Sequence, residues 1–218
     1  MVSTPNHDWR ENTDYLNREE LRLALLTGMQ ALVNMLEIRD PYTAGHQRRA
    51  ANLAGAIARQ MELPRSSYNA ILIAATLHDL GKIAVPSEIL SKPGPLTEAE
   101  FNLLQTHPQV GCEILQPIKT PWPIATIVLQ HHERLDGSGY PQKLVGTDIL
   151  LEARILAVAD YVEAMTSQRP YHTAHSLPET LASLQKDSAA LFDQEVVQAC
   201  LTVFETDFDF SQEAELHF

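Results

Sequence analysis

The chain has 218 residues, with 16 lysine or arginine and 28 aspartate or glutamate side chains, and a formal net charge of −12. That charge argues against a general nucleic-acid-binding protein, whose affinity comes from neutralising phosphates. An anionic substrate is still compatible with it if metal ions or a few placed cations supply the local attraction. The length suits one well-filled core, and no shift in composition divides it, so we expect a single domain.

The sequence carries no signal for export or membrane insertion. Its start, MVSTPNHDWRENTD, lacks the charged-then-apolar order of a signal peptide, and no apolar run approaches a membrane-spanning length. Cys112 and Cys200 lie far apart in unlike contexts, which favours free, packed thiols over a disulfide. We therefore expect a cytoplasmic protein that is not inserted in a membrane.

Behind a polar lead-in at 1–17, the segment 18–39 is predicted to be an N-terminal helix. Its apolar residues recur at steps of four, three and four: Leu25, Met29, Leu32 and Leu36. Such a stripe is compatible with packing on the protein's own core, with a homodimer seam, or with continuation of a helix from an upstream sensor domain. The spacing leaves these three alternatives open.

The helical pattern continues almost to the end, so the predicted fold class is all-α. Further helices are expected at about 43–61, 66–79, 97–106, 108–117, 123–132, 150–166, 176–187 and 193–205. Thr97 with Glu100 after it is a helix-start signal, and His46 shares the inward face of its helix with Ala50. The acidic tail at 206–218 has no periodicity and is expected to be a loosely held end.

Two carboxylates stand in strongly apolar helical surroundings. His78-Asp79 ends the apolar run AILIAATL, and Asp160 lies in a helix that is apolar on nearly every side. A buried carboxylate is costly unless a cation or hydrogen bonds compensate, and coordination to a metal removes that cost. Taken singly, each such residue is also explained as a core histidine, a helix cap or an ion-pair partner.

The set as a whole favours metal binding over these separate explanations. Seven residues with nitrogen or oxygen donor atoms lie mostly at the inner face or the end of an apolar helix. They are His46, His78, Asp79, His107, His131, His132 and Asp160. Imidazole and carboxylate donors suit iron, manganese, zinc or nickel, and the lack of thiolate disfavours a closed structural zinc site. Seven ligands are too many for one ion, so we expect two ions that share a carboxylate.

The order His46, His78-Asp79, Asp160 resembles the H…HD…D signature of the HD superfamily of metal-dependent phosphohydrolases. Within it, the stretches HDLGKIAVPSEILSKPGPLT, HPQVG, HHERLDGSGYP and ARILAVADYVEAMTSQRPY are similar to the HD-GYP subfamily. The resemblance covers about 37–205. It implies a single all-α HD-type domain that hydrolyses the bacterial second messenger cyclic di-GMP. An upstream sensor domain or a GGDEF-type protein is then an expected signalling partner.

Carried over residue by residue, the resemblance implies one metal at His46, His78, Asp79 and Asp160. It implies a second metal at His107, His131 and His132, with Asp79 as the bridge. The implied catalytic residues are Asp79 and Lys82, the implied substrate contacts are Lys82, Tyr140 and Arg169, and Glu133 is expected to orient a histidine. Iron or manganese is the expected metal, with zinc and nickel as alternatives.

This sequence departs from the family pattern at three places. Tyr42 stands where members with a third metal have glutamate, so the two-metal type is expected. Leu135 replaces a common tryptophan, and His172 follows RPY where arginine or lysine is common, and both changes are expected to weaken substrate contacts. Arg154 is a further cation near this region, for which a structural ion pair is at least as good an explanation.

The implied reaction is attack of a metal-activated water on one phosphorus, giving linear pGpG, with a second hydrolysis giving GMP. A different class of function is a catalytically weak cyclic di-GMP receptor that signals through the N-terminal helix. A third alternative is an HD phosphohydrolase acting on another cyclic dinucleotide. The complete ligand set argues against the receptor, and the GYP loop argues against the other substrate.

Overall fold

The computed structural model describes residues 18–40, 43–168 and 174–211. Regular structure in these ranges is helical, as predicted: α1 Arg18–Arg39, α2 His46–Gln60, α3 Arg65–Leu77, α4 Ser87–Leu90, α5 Glu98–Leu104, α6 His107–Leu115, α7 Ile124–Gln130, α8 Leu151–Thr166, α9 Leu177–Lys186 and α10 Gln194–Phe204. Short 3-10 turns span Leu80–Ala84 and Gly146–Asp148. Within the described ranges, the extended pairings are two isolated bridges, Asp136 with Val145 and Ser188 with Phe192.

Helices α2, α3 and α8 form the centre of the molecule. Helix α2 packs against both of the others, and α10 covers α2 and α8 from outside. Leu53, Ile71 and Leu156, one from each central helix, are fully buried. Each of these helices carries apolar residues on the face that meets its neighbours, which is the helical periodicity visible in the sequence.

Helix starts follow their local sequence signals. Thr97 and Glu100 form the predicted capping box at α5, in which each side chain bonds the other's backbone N–H. A second capping box, Ser176 with Glu179, starts α9. Pro108 lies in the first turn of α6, where its missing N–H leaves no helical hydrogen bond unmade.

One side of the apolar stripe predicted on α1 packs against the core, and the other side is exposed. Met29 and Leu36 are buried, whereas Leu25 and Leu32 are 44% and 36% exposed. Val33 completes the buried edge. The stripe therefore packs on the protein's own core along one edge. Its other edge forms an apolar surface that is exposed in the single chain.

One stretch of the described chain, Glu20–Arg39 in α1, is long and apolar enough by length and composition to cross a membrane. Most of this stretch is not buried in the domain. The expectation that no segment reaches this length and hydropathy was therefore wrong. Part of this helix nevertheless packs inside the domain, through the buried side chains of Met29, Val33 and Leu36.

The first residues of the acidic tail are packed, contrary to the expectation of a loosely held end. Phe208 and Phe210 contact Phe204 and each other, with ring centroids 5.4–5.8 Å apart. The Asn52 side chain donates a hydrogen bond of 2.9 Å to the Phe210 carbonyl. The sequence pattern misled because the phenylalanines alternate with acidic residues, so no helical period marks them. Residues 212–218, like the lead-in 1–17, lie outside the described ranges.

Candidate metal centre

The seven predicted ligands come together at one place, where helix ends meet the middle of α8. His46 and His107 are the first residues of α2 and α6, and His78 and His131 directly follow α3 and α7. Asp160 projects from within α8. Six of the seven are buried, and His132 is half-buried. Side chains at helix ends can converge without breaking the core, because the apolar body of each helix stays packed.

Gly81 allows the turn after His78-Asp79 to touch the start of α6. A Cβ at this position would lie 1.9 Å from the His107 carbonyl oxygen and 2.6 Å from the Gly111 nitrogen. Both contacts are with backbone, which cannot move aside as a side chain can. The glycine of HDLGK therefore fixes Asp79 opposite His107.

Four side chains form what we call the His46 group: His46, His78, Asp79 and Asp160. The His46 Nε2 lies 3.3 Å from the His78 Nε2 and 3.2 Å from the Asp160 Oδ1. The Asp79 Oδ2 lies 3.7 Å from the His46 Nε2 and 3.6 Å from the His78 Nε2. The donor atoms of His46, His78 and Asp79 all lie within 4.8 Å of one another, which is close enough to hold one cation. The Asp160 Oδ1 lies within 3.7 Å of both histidines.

Three histidines form the His107 group: His107, His131 and His132. The His107 and His131 Nε2 atoms are 3.3 Å apart, and the rings of His131 and His132 are 4.0 Å apart. Asp79 Oδ1 lies 3.5 Å from the His107 Nε2. Asp79 therefore presents one oxygen to each group, which is the arrangement of a bridging carboxylate.

Hydrogen bonds fix the tautomer of three of these histidines. The Nδ1 atoms of His78, His107 and His131 lie 2.6–2.7 Å from backbone carbonyl oxygens. A carbonyl can only accept, so Nδ1 carries the hydrogen and Nε2 of a neutral ring keeps its lone pair. His107 and His131 then face each other lone pair to lone pair at 3.3 Å, which is repulsive unless a cation lies between them.

Electrostatics favour the protonation states that bind metal. Burial lowers the pKa of His107 to about 4, and burial also holds the pKa values of His131 and His132 well below the usual range. Burial opposes ionisation of Asp79, but Lys82 and the histidines outweigh it and hold its pKa well below the usual range. Neutral imidazoles and an ionised carboxylate are the states a divalent transition metal requires. The residues present fit two such ions.

His46 differs from the other histidines. Burial lowers its pKa, but hydrogen bonds to Asp160 and Glu163 outweigh burial and raise the pKa to about 9. A metal at this position would take the place of the proton on Nε2. Binding there is therefore coupled to proton release.

Lys82 and Tyr140 lie beside the two groups. The Lys82 ammonium is buried and donates a 2.7 Å hydrogen bond to the Asp79 Oδ2. The half-buried Tyr140 ring lies 4.8 Å from the His132 ring. Gly139 permits this approach of the GYP loop, because a Cβ there would lie 2.4 Å from the Glu133 Cα. Lys82 and Tyr140, two of the three predicted substrate contacts, thus lie beside the metal-ligand groups.

The predicted role of Glu133 was wrong. Its carboxylate accepts hydrogen bonds from the backbone N–H groups of Gln142 (2.6 Å) and Leu144 (3.0 Å), and not from a histidine. The reason is that the chain after His132 turns back on itself, which brings the loop's own N–H groups to Glu133. Glu133 therefore stabilises the folded conformation of the GYP loop.

The carboxylate that does contact a histidine is Glu163, which was not among the predicted site residues. Its Oε2 accepts a short hydrogen bond from the His46 Nδ1, and its Oε1 accepts one of 2.7 Å from the Arg49 Nε. A signal was present, because Glu163 lies three residues after Asp160 and so on the same helix face.

Arg154 and Leu135 have structural partners. Arg154 forms an ion pair with Asp193, the N-cap of α10, which supports the structural explanation of this cation. Leu135 packs against the core and lines a small space with Ile149 and Phe192. Arg169, His172 and Tyr42 lie outside the described residues, so the expectations for them stay predictions.

Known proteins are similar to this chain in sequence. A family model described as "HD domain" matches residues 30–196. The chain is 44% identical over 175 residues to the cyclic di-GMP phosphodiesterase response regulator RpfG of Xanthomonas campestris pv. campestris, covering 79% of this chain and 46% of that protein. It is 36% identical over 169 residues to the 3'3'-cGAMP-specific phosphodiesterase 3 of Vibrio cholerae, covering 78% of this chain and 37% of that protein. The chain therefore spans less than half the length of these relatives.

The fold is shared as well. A crystal structure of a cyclic GMP-AMP specific phosphodiesterase of Vibrio cholerae (V-cGAP3) matches with a TM-score of 0.64 at 18% identity, over 82% of this chain and 48% of that chain. At this identity the likeness shows the fold alone. With the family model covering most of the sequence and the motifs meeting at one site, the chain belongs to the HD domain family, and its resemblance to the HD-GYP type is confirmed.

Proposed function

We propose that the chain is a metal-dependent phosphodiesterase that hydrolyses cyclic di-GMP to linear pGpG, and by a second cut of the same kind to GMP. The observation that carries this proposal is the convergence of the His46 and His107 groups on the two oxygens of Asp79. Two adjacent cation sites joined by a carboxylate are typical of enzymes that hydrolyse phosphate esters. The name of the Xanthomonas relative supports the substrate.

In this proposal the His46 group holds one divalent ion, and the His107 group holds a second with Asp79 as the bridge. Iron or manganese suits the mixture of imidazole and carboxylate donors, and zinc and nickel accept the same donors. Neither cysteine belongs to either group. Once bound, the ions acidify a water molecule and polarise the phosphoryl oxygens.

The chain's own side chains supply the remaining chemistry. Lys82 places a positive charge beside Asp79, where it stabilises negative charge that develops on a phosphoryl oxygen. Tyr140, beside His132, offers an aromatic face on which a guanine can stack. Arg169, two residues after Ser167, is the proposed cation for a phosphate.

A mixed cyclic dinucleotide is the second candidate substrate. One relative at 36% identity is named for 3'3'-cGAMP. The test is to incubate protein loaded with Mn²⁺ or Fe²⁺ with each dinucleotide and to separate the products by chromatography. We expect cyclic di-GMP to be opened at least about tenfold faster, and faster opening of the mixed dinucleotide would reverse the assignment.

The same experiment separates an enzyme from a receptor. Protein that holds two metal equivalents, binds cyclic di-GMP and leaves it intact would be a receptor. A pure binding module does not need seven buried or half-buried metal donors, whose burial is costly without an ion. We therefore propose catalysis.

We also propose that α1 pairs with α1 of a second copy. The positions Leu21, Leu25, Gly28, Leu32 and Met35 follow the seven-residue spacing of a two-helix seam and carry no charge. The four side chains among them are 36–61% exposed. An apolar groove of about 720 Å³ runs beside this seam, between α1 and the segment from Leu115 to Thr126. A seam with a heptad period is complementary to itself, which favours a second copy over an unrelated partner.

A further inference from the structure

Four histidines of the two groups donate a hydrogen bond from Nδ1, and the acceptor is of two different kinds. His78, His107 and His131 each donate from Nδ1 to the carbonyl of the residue three positions earlier. His46 instead donates from Nδ1 to the Glu163 carboxylate. A carboxylate in this position makes an imidazole a stronger electron donor than a carbonyl does. The two groups are therefore unequal in donor strength.

Glu163 is firmly held in this position. Its side chain is almost fully buried, and its Oε1 accepts hydrogen bonds of 2.7 Å from both the Arg49 Nε and the Ser167 Oγ. The Arg49 Nη2 lies 2.6 Å from the same oxygen. One carboxylate oxygen is thus reserved for His46 while the other is anchored, so His46 cannot rotate without breaking a buried contact.

Charge increases the difference between the groups. Two carboxylates, Asp79 and Asp160, contribute oxygens to the His46 group, and Glu163 adds a third negative charge one ring away. The His107 group has three imidazoles and the shared Asp79, and Asp160 acts on His131 and His132 without a close contact to the His107 ring. Arg49 offsets part of the Glu163 charge, but it contacts Oε1 and not the Oε2 that faces His46. Lys82 offsets part of the Asp79 charge that the two groups share.

We propose that Glu163 is a positioning residue that makes the His46 group the tighter of the two metal sites, so that the two ions bind in order. This inference deepens the proposed metal centre and rests on it. The protein then holds one ion firmly at the His46 group, and the His107 group fills second. At limiting metal the population carrying one ion is the main species.

Mn²⁺ titration of the full chain, after chelator treatment, tests the order of binding. Free Mn²⁺ is followed by electron paramagnetic resonance and the heat of binding by calorimetry. For the unaltered protein we expect two separate phases of one equivalent each. Glu163→Gln keeps the shape but removes the charge, and should weaken the tighter phase by about 10–100-fold while the second phase stays in place.

Two further variants separate positioning from general damage. Ser167→Ala removes a hydrogen bond to the same carboxylate without touching His46, and should keep the tight phase. Glu163→Asp restores the charge and should recover part of the lost affinity. Thermal unfolding without metal shows that each variant is folded.

Three results would overturn the proposal. One is equal affinity of the two sites in the unaltered protein, and another is a tight phase that Glu163→Gln leaves unchanged. The third is equal weakening of both phases by that variant. Protein that binds no Mn²⁺ at all would remove the proposed metal centre together with this inference, whereas intact two-site binding without cyclic di-GMP hydrolysis would remove the proposed function alone.

Discussion

At the scale of single residues, the site consists of groups whose pKa values move in opposite directions. Without metal, His46 has a pKa of about 9 because its contacts with Asp160 and Glu163 outweigh burial. Burial lowers the pKa of His107 to about 4. One histidine is therefore charged and the other neutral near pH 6.5, although the two lie on opposite sides of the same Asp79 carboxylate.

These shifts predict how the stability of the metal-free protein depends on pH. The pKa of His46 is above its unfolded value of 6.5, so its stabilising effect is complete below pH 6.5 and is lost as the pH rises to about 9. The pKa of His107 is below 6.5, so its effect is present above pH 6.5 and is lost as the pH falls to about 4. We expect the free energy of unfolding to be greatest near pH 6.5.

Urea unfolding in the presence of a chelator, repeated between pH 4 and pH 9, measures this profile. Glu163→Gln removes one of the contacts that raise the His46 pKa, so it should flatten the alkaline side. The variant also removes the Glu163 carboxylate, whose pKa is lowered to about 2, so the loss of stability close to pH 4 should become smaller as well. Stability that keeps rising from pH 6.5 to pH 9 would show that His46 is not held in its charged form.

Residue types and spacing were enough to select the seven candidate ligands. Burying an imidazole or a carboxylate on an apolar helix costs free energy unless the group binds a metal or a hydrogen-bond partner. They were not enough to assign the supporting carboxylates. Glu133 follows the two histidines in sequence, yet the folded loop directs it to the N–H groups of Gln142 and Leu144. Glu163 reaches His46 across 117 positions, through the packing of α8 on α2. The local pattern places Glu163 on the same helix face as Asp160, but only tertiary packing determines that it meets His46.

At the scale of helices and turns, the close contact between the His78-Asp79 turn and α6 determines whether the two groups meet. We predict that Gly81→Ala lowers the free energy of unfolding by at least about 1–3 kcal/mol, because the new Cβ would collide with backbone of His107 and Gly111. Gly28→Ala is the matched control. Its Cβ meets nothing within 4 Å, and alanine favours a helix, so it should be neutral or stabilising by up to about 1 kcal/mol.

Urea unfolding of both variants with chelator present tests this without relying on metal. Mn²⁺ titration should in addition show weaker binding for Gly81→Ala, since Asp79 and His107 would be pushed apart. Equal stability of the two variants would mean that the turn can shift away from α6 at little cost.

Helix α1 shows what periodicity can and cannot predict. Its existence follows from the apolar spacing and its end from Asp40-Pro41, and the structure has a helix that ends at Arg39. The helix already includes Arg18, where the described residues begin, so its predicted start stays a prediction. The spacing did not separate an inward edge from an outward one, since Leu25 and Met29 belong to the same stripe while their exposure differs. Only the position of α1 against the core decides that.

The outward edge leads to a prediction about assembly. Gly28→Glu places a charge in the proposed seam at a position with open space, so the single chain should fold normally while pairing weakens by more than about tenfold. Leu23→Glu is the control, because Leu23 is 61% exposed but lies outside the proposed seam and the adjoining groove. Light scattering over a range of concentrations measures the mass. A monomer at all concentrations for the unaltered protein, or equal behaviour of both variants, would exclude this seam.

At the scale of the whole molecule, the helical bundle gathers donors from four helix ends and one helix interior around Asp79. The overall charge of −12 does not attract an anionic substrate, so attraction must be local. Two divalent ions and Lys82 would supply it. In the proposed function, metal binding and hydrolysis therefore both depend on the Asp79 carboxylate.

The most direct test measures metal content and product together in the unaltered protein and in Asp79→Asn. Asparagine keeps the size of the side chain but lacks the charge with which Asp79 faces both groups. We expect two equivalents of iron or manganese and formation of pGpG for the unaltered protein. For Asp79→Asn we expect one equivalent or less and a rate reduced by more than about 100-fold. Full hydrolysis of cyclic di-GMP by Asp79→Asn, or by protein stripped of metal, would contradict the account.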